Sequence, residues 1–571
     1  MQKFAPKIIC LSLVLFALIA GCSDDNDNAD SGKTDGDMET GETDKADDSD
    51  GDLEIVETDG DSDSGESVDG DEDSDLEQEG GLPSSLAFHI EREPDGEPLS
   101  EDEIKETTKI ITGFWKDTAY FDWIAQTSHG MAADNQWGYP DYKYWWQNTV
   151  AVKEGDLVTF KHTGGADNIL LRTVRPLMYS LAGYKETGDA RLRRICIDYL
   201  RGIRAMYTGM IWGDEDPVVD TVMARGIFNH NHEYVLEGDR RAAVDYEPVC
   251  FEDLARRHDT LHNPDNPTWG DIWVRTKRSK DDVPFLYRLV PLMMRIIEDG
   301  KDATDEEFVN EVEETMGYIQ RFTKDIVDHG YMIRTKDAEG NAYIPLYNDY
   351  PDDYASYVNY EKLWPNAECA AKLSSALVAY KETLDNECGD GYGGGYEEMT
   401  IASHYWSTII INYFHISAVA SALIEGRNDI AEELVQGLAD RAVKTMQDEE
   451  GRSNTAEWNS DLAVFLLVSA SYGLPLTATE ARMVSSEFKR TLEHYSKFEL
   501  WDLWDESVPD GEYEYIPDRE MEGEAEFGQT KVIRPTELAA VIEYCESPFK
   551  DPTTEPFIDC SVVLDPESWG K

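Results

Sequence analysis

Basic residues are scarce in this chain of 571 residues: 51 lysines and arginines stand against 117 aspartates and glutamates, and the net charge is −66 at pH 7. A surface with this excess of negative charge repels other polyanions. Neither nucleic acid nor an anionic membrane surface is therefore an expected partner. A polyanionic glycan would need a locally basic cleft, so the charge leaves glycans and proteins as the main classes of ligand.

Long apolar runs are also lacking beyond the first twenty residues. The most apolar later stretch, Thr408 to Ile424, contains Asn412 and His415. A membrane span needs about 20 predominantly apolar residues, so this stretch fits a buried helix better.

Three common catalytic motifs are missing. The loop from Gly389 to Gly395 has no Lys-Ser or Lys-Thr after it, and the chain contains neither Gly-x-Ser-x-Gly nor His-Glu-x-x-His. These absences exclude a phosphate-binding P-loop and argue against the simplest serine hydrolase and zinc protease sites.

The N-terminus carries the signals of export. Lys3 and Lys7 come before an uncharged apolar run from Ile8 to Ala20, which has the length of a signal-peptide core. The run ends in Leu18-Ile19-Ala20-Gly21-Cys22, which resembles the bacterial lipobox. The resemblance implies a signal peptide over residues 1–21 and an anchor of palmitate or similar acyl chains on Cys22. Because Ser23 and not aspartate follows the cysteine, it favours the outer membrane, although Asp24 comes next.

An acidic tract follows the cysteine. From Ser23 to Gly80 there are 26 acidic residues, two lysines and almost no large apolar side chains. Such a tract cannot bury enough surface to offset the entropy of ordering. We expect residues 22–81 to form a disordered tether that spaces the body, residues 82–571, from the membrane, in the periplasm or at the cell surface. This tract accounts for well under half of the net charge of −66, so the body is also strongly acidic.

Cysteine is scarce, with eight residues in all. Six remain besides Cys10 and Cys22, an even number that is consistent with up to three disulfides in an oxidising compartment. Four of the six form two pairs that are close in sequence, which suggests two disulfides and leaves the other two for a third. Some of these residues could instead be buried thiols. The candidate pairs are Cys369 with Cys388, Cys545 with Cys560, and Cys196 with Cys250.

Helical periodicity dominates the body. Several segments are joined by short turns that contain glycine and aspartate, residues that end one helix and begin the next. The amphipathic segments are Ile169–Lys185, Ala190–Met206, Pro284–Glu298, Asp305–Asp328, Ile401–Glu425, Ile430–Gln447 and Ala478–Tyr495. This pattern predicts a mainly α fold of repeated helical hairpins.

Long aromatic-rich connections separate the helical pairs, at Ala125–Asn148, Ile211–Val283, Asp337–Trp364 and Asp385–Met399. Loops of this length in a compact domain tend to carry function. The layout resembles the (α/α) toroid enzymes that act on carbohydrates. The resemblance is one of architecture alone, and it implies a closed or incomplete toroid with an active site in its loops.

Four histidines lie close together in the sequence: His230, His232, His258 and His262. The first two would share a face of a strand, and the last two would share a face of a helix, as in zinc sites. This predicts a zinc-dependent hydrolase as one alternative, with no cofactor in the preferred interpretation. The simpler interpretation is that these are hydrogen-bonding loop histidines.

A glycoside hydrolase needs two carboxylates across the scissile bond. Asp271 is the first choice because Trp269 and Trp273 flank it, and apolar rings raise a carboxyl pKa and stack on sugars. Asp281 or Asp282 is the predicted partner. These two residues could equally cap a helix that starts at Pro284.

A polysaccharide lyase needs a base near the sugar and groups that neutralise a uronate. His232 or Tyr234 could act as the base. Asn231, Arg225 and Arg288 could bind the carboxylate.

An aromatic platform for sugar is the last candidate, formed by Trp137, Trp145, Trp146 and Trp406. Aromatic rings beside amides suit the CH faces and hydroxyls of sugars. Each of these rings could instead pack in the core.

The sequence as a whole predicts an exported, lipid-anchored enzyme that cleaves a carbohydrate outside the cytoplasm, by hydrolysis or elimination. A non-catalytic lipoprotein that binds a glycan or a protein partner is the alternative of a different class.

Overall fold

The protein, described here as a computed structural model, combines helices with several small sheets. Helices hold 55% of the described residues and strands hold 16%. The described part belongs to one compact unit, and none of its helices is long and apolar enough to cross a bilayer. The described residues are 82–115, 128–130, 143–145, 148–164, 169–213, 222–228, 231–236, 239–246, 260–276, 283–300, 305–329, 333–344, 405–447, 456–495, 503–515 and 536–569. The predicted tether and Cys22 lie outside this part.

Eleven α-helices occur in the described part. They are α1 (Glu101–Trp115), α2 (Ile169–Thr187), α3 (Ala190–Thr208), α4 (Val283–Gly300), α5 (Glu306–Asp328), α6 (Tyr405–Ile424), α7 (Asn428–Gln447), α8 (Ala456–Ser471), α9 (Ala478–Tyr495), α10 (Thr536–Glu546) and α11 (Cys560–Val563).

Five helices form an inner layer. In chain order they are α2, α4, α6, α8 and α10; each packs against the next, and α10 packs against α2. Helix α8 shows how complete this burial is, since residues 463–470 are all buried. A helix that is apolar on every side is stable only where other elements cover it. The core of the helical body therefore lies among these five helices.

The remaining long helices pack outside this layer. Helix α3 contacts α2 and α5, α5 contacts α4, α7 contacts α6 and α8, and α9 contacts α8 and α1. Charged pairs join α3 to α5: Arg201 Nε donates to Glu311 Oε1 at 2.9 Å, and Arg204 also donates to this carboxylate. Burial would raise the pKa of Glu311, but the two guanidinium groups hold it below its usual value.

Twelve short strands occur between the helices of the described part. They are β1 (Ser128–Gly130), β2 (Lys143–Trp145), β3 (Asn148–Glu154), β4 (Leu157–Gly164), β5 (Gly226–Phe228), β6 (His232–Leu236), β7 (Arg240–Tyr246), β8 (Thr260–Asn266), β9 (Gly270–Arg275), β10 (Thr335–Lys336), β11 (Ala342–Tyr343) and β12 (Gly511–Tyr515).

The two larger sheets are built differently. The five-stranded sheet has the order β12-β3-β4-β7-β6, and only its β4–β7 pair is parallel. One of its faces is buried, through Val158, Phe160, Ala242 and Val244, and Trp504 packs on Phe160. The three-stranded sheet has the order β5-β9-β8 and is antiparallel throughout.

The prediction of a mainly α toroid is wrong, because these sheets occupy stretches that the helical pattern leaves as connecting loops. The connection Ile211–Val283 contains strands β5 to β9, and Ala125–Asn148 contains β1 and β2. These strands are only three to seven residues long, which is too short for their pattern to compete with the longer helical periods. Gly155, with φ of 64°, makes the turn that reverses β3 into β4.

Helices α1 and α9 begin in the same way. Ser100 N donates to Glu103 Oε2 at 2.8 Å, and Thr477 N donates to Glu480 Oε2 at 2.9 Å. Both are capping boxes, which satisfy backbone donors at a helix start. Arg482 of α9 donates to Glu103 at 2.6 Å. The two helix starts are therefore joined by a cross-helix ion pair.

A disulfide joins Cys545, in α10, to Cys560, at the start of α11. Cys196 is a buried free thiol in α3. Its candidate partner Cys250, together with Cys369 and Cys388, lies outside the described residues.

Candidate functional site

The hairpin of β8 and β9 has one covered face and one face that is open around His262 and Asp271, although it is buried at Thr260 and Arg275. Ile272 and Val274 of β9 are fully buried, and Asn263 on β8 pairs with Ile272 and is also buried. Because successive side chains of a strand point to opposite sides, Asp271 and Trp273 lie on the other face. In the antiparallel register His262 on β8 stands directly opposite Trp273.

The covered face is fixed by the end of helix α3. Asn263 Nδ2 donates to the carbonyl of Ile211 at 2.7 Å, and Asn266 Nδ2 donates to the carbonyl of Thr208 at 2.9 Å. Ile227 of β5 lies so close to Gly209 that a side chain there would clash with it. These contacts hold the three-stranded sheet against the helical body and determine which face stays open.

Three side chains meet on the open face. His262 Nε2 and Asp271 Oδ1 are 2.6 Å apart, and the imidazole stacks on the indole of Trp273 with ring centroids 4.7 Å apart and planes 20° apart. The Asp271 side chain is 68% exposed and that of His262 is 42% exposed. Neither Asp271 Oδ2 nor His262 Nδ1 has a hydrogen-bond partner in the described part of the chain. We call His262, Asp271 and Trp273 the hairpin site.

The contact between His262 and Asp271 selects the tautomer of the neutral imidazole. An ionised carboxylate can only accept hydrogen bonds, so Nε2 must be the donor. In the neutral ring Nδ1 is then an acceptor. The hairpin site therefore presents a carboxylate oxygen and a ring nitrogen that can accept protons or hydrogen bonds, next to aromatic surface.

No family model, curated protein or solved structure matches this chain.

The sequence predicts that Trp269 flanks Asp271 with apolar surface, but the structure places the Trp269 ring elsewhere. It lies in the turn before β9, is 1% exposed, and donates from Nε1 to Thr208 Oγ1 at 2.8 Å. Of the two flanking rings only Trp273 lies on the face of Asp271. The carboxyl group consequently lacks the apolar enclosure that would make it a strong candidate for a general acid.

Three other candidates lie on the five-stranded sheet. His232 and Tyr234 belong to β6, with ring centroids 6.0 Å apart, and Asn231 Nδ2 donates to Asp245 Oδ1 at 2.6 Å. Tyr234 is 6% exposed, and burial raises the pKa of its hydroxyl. A tyrosine base needs a lowered pKa, so this environment does not favour Tyr234 in that role.

The two candidate arginines differ in position. Arg288 is 2% exposed and donates to both oxygens of Glu543, at 3.2 and 2.5 Å. Burial would lower the pKa of Arg288, but Glu543 raises it above its usual value. This guanidinium is committed to joining α4 to α10. Arg225 is half-buried just before β5, and its backbone N–H donates to the carbonyl of Arg275.

Several candidates cannot be placed in the site. Asp281, Asp282, Trp137, Trp146, His230 and His258 lie outside the described residues. Trp145 lies in β2 and Trp406 in α6. Of the four clustered histidines, His232 and His262 are described, and they belong to different sheets. Within the described part, no group of three or more His, Cys, Asp or Glu side chains could hold a metal ion.

The pairing of His262 with Trp273 is not among the predictions from the sequence, which make His262 a metal ligand or a hydrogen-bonding loop histidine. A signal for the pairing exists. The segment Asn263-Pro-Asp-Asn-Pro-Thr-Trp-Gly270 is rich in turn residues between two polar-apolar alternations, which is typical of a hairpin. Folding the chain there brings His262 opposite Trp273.

Proposed function

We propose that this protein is an exported, lipid-anchored protein that binds a carbohydrate at the hairpin site. The observation that carries the proposal is the combination found on the open face of β8 and β9. His262 stacked on Trp273 offers aromatic surface, and Asp271 Oδ2 and His262 Nδ1 offer acceptors beside it. Sugars are recognised by such combinations, because their CH faces stack on rings and their hydroxyls need acceptors.

Export and anchoring rest on two independent features. The lipobox-like Leu18 to Cys22 supports a lipid on Cys22, with Ser23 favouring the outer membrane. The disulfide between Cys545 and Cys560 supports an oxidising compartment, because such bonds rarely persist in the cytosol. Labelling cells with a palmitate analogue tests the anchor. We expect label on the wild-type protein and none on Cys22→Ser, and a wild-type protein without label would contradict it.

Binding is tested with the full-length protein and a panel of neutral, amino and uronate-containing oligosaccharides. We expect Trp273→Ala to lower the affinity for the best ligand at least ~10-fold, which corresponds to about 1.4 kcal/mol. Tyr343→Ala is the matched control, because Tyr343 is an exposed aromatic residue on the separate β10–β11 hairpin and should not affect binding. The proposal fails if no member of the panel binds, or if both variants bind as the wild type does.

Carbohydrate cleavage at the same site is a second candidate function. The distance of 2.6 Å between His262 Nε2 and Asp271 Oδ1 favours it, because a carboxylate in this position orients a histidine that acts as a base. His262 Nδ1 would take the proton, from a sugar carbon in elimination or from water in hydrolysis. The predicted pair of Asp271 with Asp281 or Asp282 is a separate route to hydrolysis.

The two candidate functions are separated by following products. New reducing ends together with ultraviolet absorbance indicate elimination, and reducing ends alone indicate hydrolysis. If His262 is the base, His262→Ala should abolish product formation even at ligand concentrations that saturate its weakened site. Binding without products in the wild-type protein leaves the carbohydrate-binding function alone.

A further inference from the structure

The charge around the hairpin site narrows the kind of sugar it can take. Asp271 accepts from His262 through Oδ1, and its Oδ2 is left without a partner among the described residues. Asp265, near the end of β8 in the same hairpin, is also exposed. The hairpin's one arginine, Arg275, lies on the same face of β9 as Asp271 and Trp273, but it is 3% exposed, so its guanidinium is covered and does not reach solvent. The solvent-facing charge of the described hairpin is therefore negative.

The described residues of the hairpin present no solvent-exposed arginine or lysine to an anionic sugar. Arg288 is the candidate for a uronate carboxylate, but it is buried and donates to Glu543. Releasing it would leave the Glu543 charge buried without a partner, which is strongly unfavourable. The net charge of −66 adds a long-range field that repels anions and attracts cations. Among the described residues of the hairpin, a uronate would thus face the carboxylates of Asp271 and Asp265 with no exposed cation to offset them.

An exposed carboxylate beside stacked aromatic rings suits a cation. An ammonium group is attracted to the face of a ring and forms charge-assisted hydrogen bonds with a carboxylate. We infer that the glycan bound at the hairpin site carries a free, protonated amino group, which donates to Asp271 Oδ2 while the sugar ring lies against His262 and Trp273. This inference rests on the proposed carbohydrate-binding function and names the class of sugar within it.

Two trimers that differ only in acetylation test the inference. The full-length protein is titrated with a glucosamine trimer and an N-acetylglucosamine trimer, at a pH at which the free amines are protonated. A glucose trimer and a galacturonate trimer are the neutral and anionic references. We expect the glucosamine trimer to bind at least ~10-fold more tightly than its acetylated form, and this comparison needs no variant.

Two variants then distinguish binding by the Asp271 carboxylate from attraction by the overall negative charge of the protein. Asp271→Asn removes the carboxylate of the hairpin site and should abolish the preference for the amino sugar. Asp265→Asn makes the same change of charge in the same hairpin and should preserve it. Added salt should weaken, but not remove, the difference between the variants.

The outcomes distinguish this inference from the proposed function. Equal affinity for the two trimers, with both bound and Trp273→Ala weakening both, would overturn the amino-sugar inference and leave carbohydrate binding intact. Equal losses in Asp271→Asn and Asp265→Asn would show attraction by overall charge and would also overturn it. If none of the four trimers binds to the folded protein while another member of the oligosaccharide panel does, the inference fails and the proposed function stands. If no member of the panel binds, both fail.

Discussion

Two polar pairs in this molecule use similar chemistry for opposite purposes. Arg288 and Glu543 are 2% and 5% exposed in their side chains and join α4 to α10 inside the helical body. His262 and Asp271 are 42% and 68% exposed on an open sheet face. A buried pair cannot lose one partner without leaving an unsolvated charge, whereas an exposed pair contributes little to stability. Burial, and not residue type, thus separates the pair that joins two helices from the pair that we propose to bind a ligand.

The largest effect should come from breaking the buried pair. Arg288→Met removes the guanidinium and leaves Glu543 charged in the core, so we expect a loss of about 3–5 kcal/mol in the free energy of unfolding. Denaturation by urea, followed by far-ultraviolet circular dichroism, measures it.

The double variant is the control for this prediction. Arg288→Met with Glu543→Leu removes both charges and should recover most of the lost stability, because nothing polar is left unpaired. If the double variant is as unstable as Arg288→Met, the loss comes from packing and not from the stranded carboxylate.

The disulfide should rank second. Cys545 and Cys560 are 15 residues apart. Closing a loop of this size lowers the conformational entropy of the unfolded chain and so stabilises the folded state by about 3 kcal/mol. We expect Cys545→Ser to lower the thermal midpoint, and a reductant to do the same to the wild-type protein. The thermal midpoint of Cys545→Ser should not change with reductant on account of this bond, because the bond is already absent. A wild-type midpoint that is unchanged by reduction would contradict the prediction.

The helices show what periodicity can predict. The pattern places helices at Ile169–Lys185 and Ala190–Met206, and the structure has them at Ile169–Thr187 and Ala190–Thr208. Helical contacts are local, so their signal is present in one window of sequence. The parallel pairing of β4 with β7 joins Leu157 to Arg241, residues that are far apart in the chain. No local pattern encodes such a pairing, and periodicity therefore cannot predict this part of the five-stranded sheet.

The site can be predicted in part for a similar reason. Asp271 and Trp273 are two residues apart, and any extended strand places them on one face. Trp269 has the same spacing on the other side of Asp271, but Gly270 has φ of 70°, which breaks the alternation and turns Trp269 into the core. The charge of Arg288 makes it a candidate in the sequence, but its burial depends on tertiary packing that the sequence does not display.

An exposed ion pair that also caps a helix should have a smaller effect, visible in acid. The Ser100 N–H and hydroxyl, together with Arg482, lower the pKa of Glu103 to about 2 from its ordinary 4.5. The folded state thus binds this proton less readily than the unfolded chain does. The contribution of Glu103 is complete above pH 4.5 and is lost as the pH falls towards 2.

Glu103→Gln tests this sign. The variant should be less stable than the wild type at neutral pH, and the difference should shrink as the pH is lowered from about 5 towards 2. Thermal midpoints measured across this range provide the comparison. Glu106→Gln is the control, because Glu106 lies on the same helix and pairs with Lys489 without capping the helix. A constant difference across the range would rule out the linkage.

The smallest effect on stability should come from the hairpin site itself. Asp271→Asn and His262→Ala alter an exposed pair, and we expect each to change the free energy of unfolding by less than about 0.5 kcal/mol. The same variants should weaken ligand binding, because they remove the acceptor or the stacked ring that meets the sugar. Urea denaturation and titration of one protein preparation measure both quantities. A large loss of stability in either variant would place this pair with Arg288 and Glu543 as part of the framework, and the distinction between the buried and the exposed pair would no longer hold.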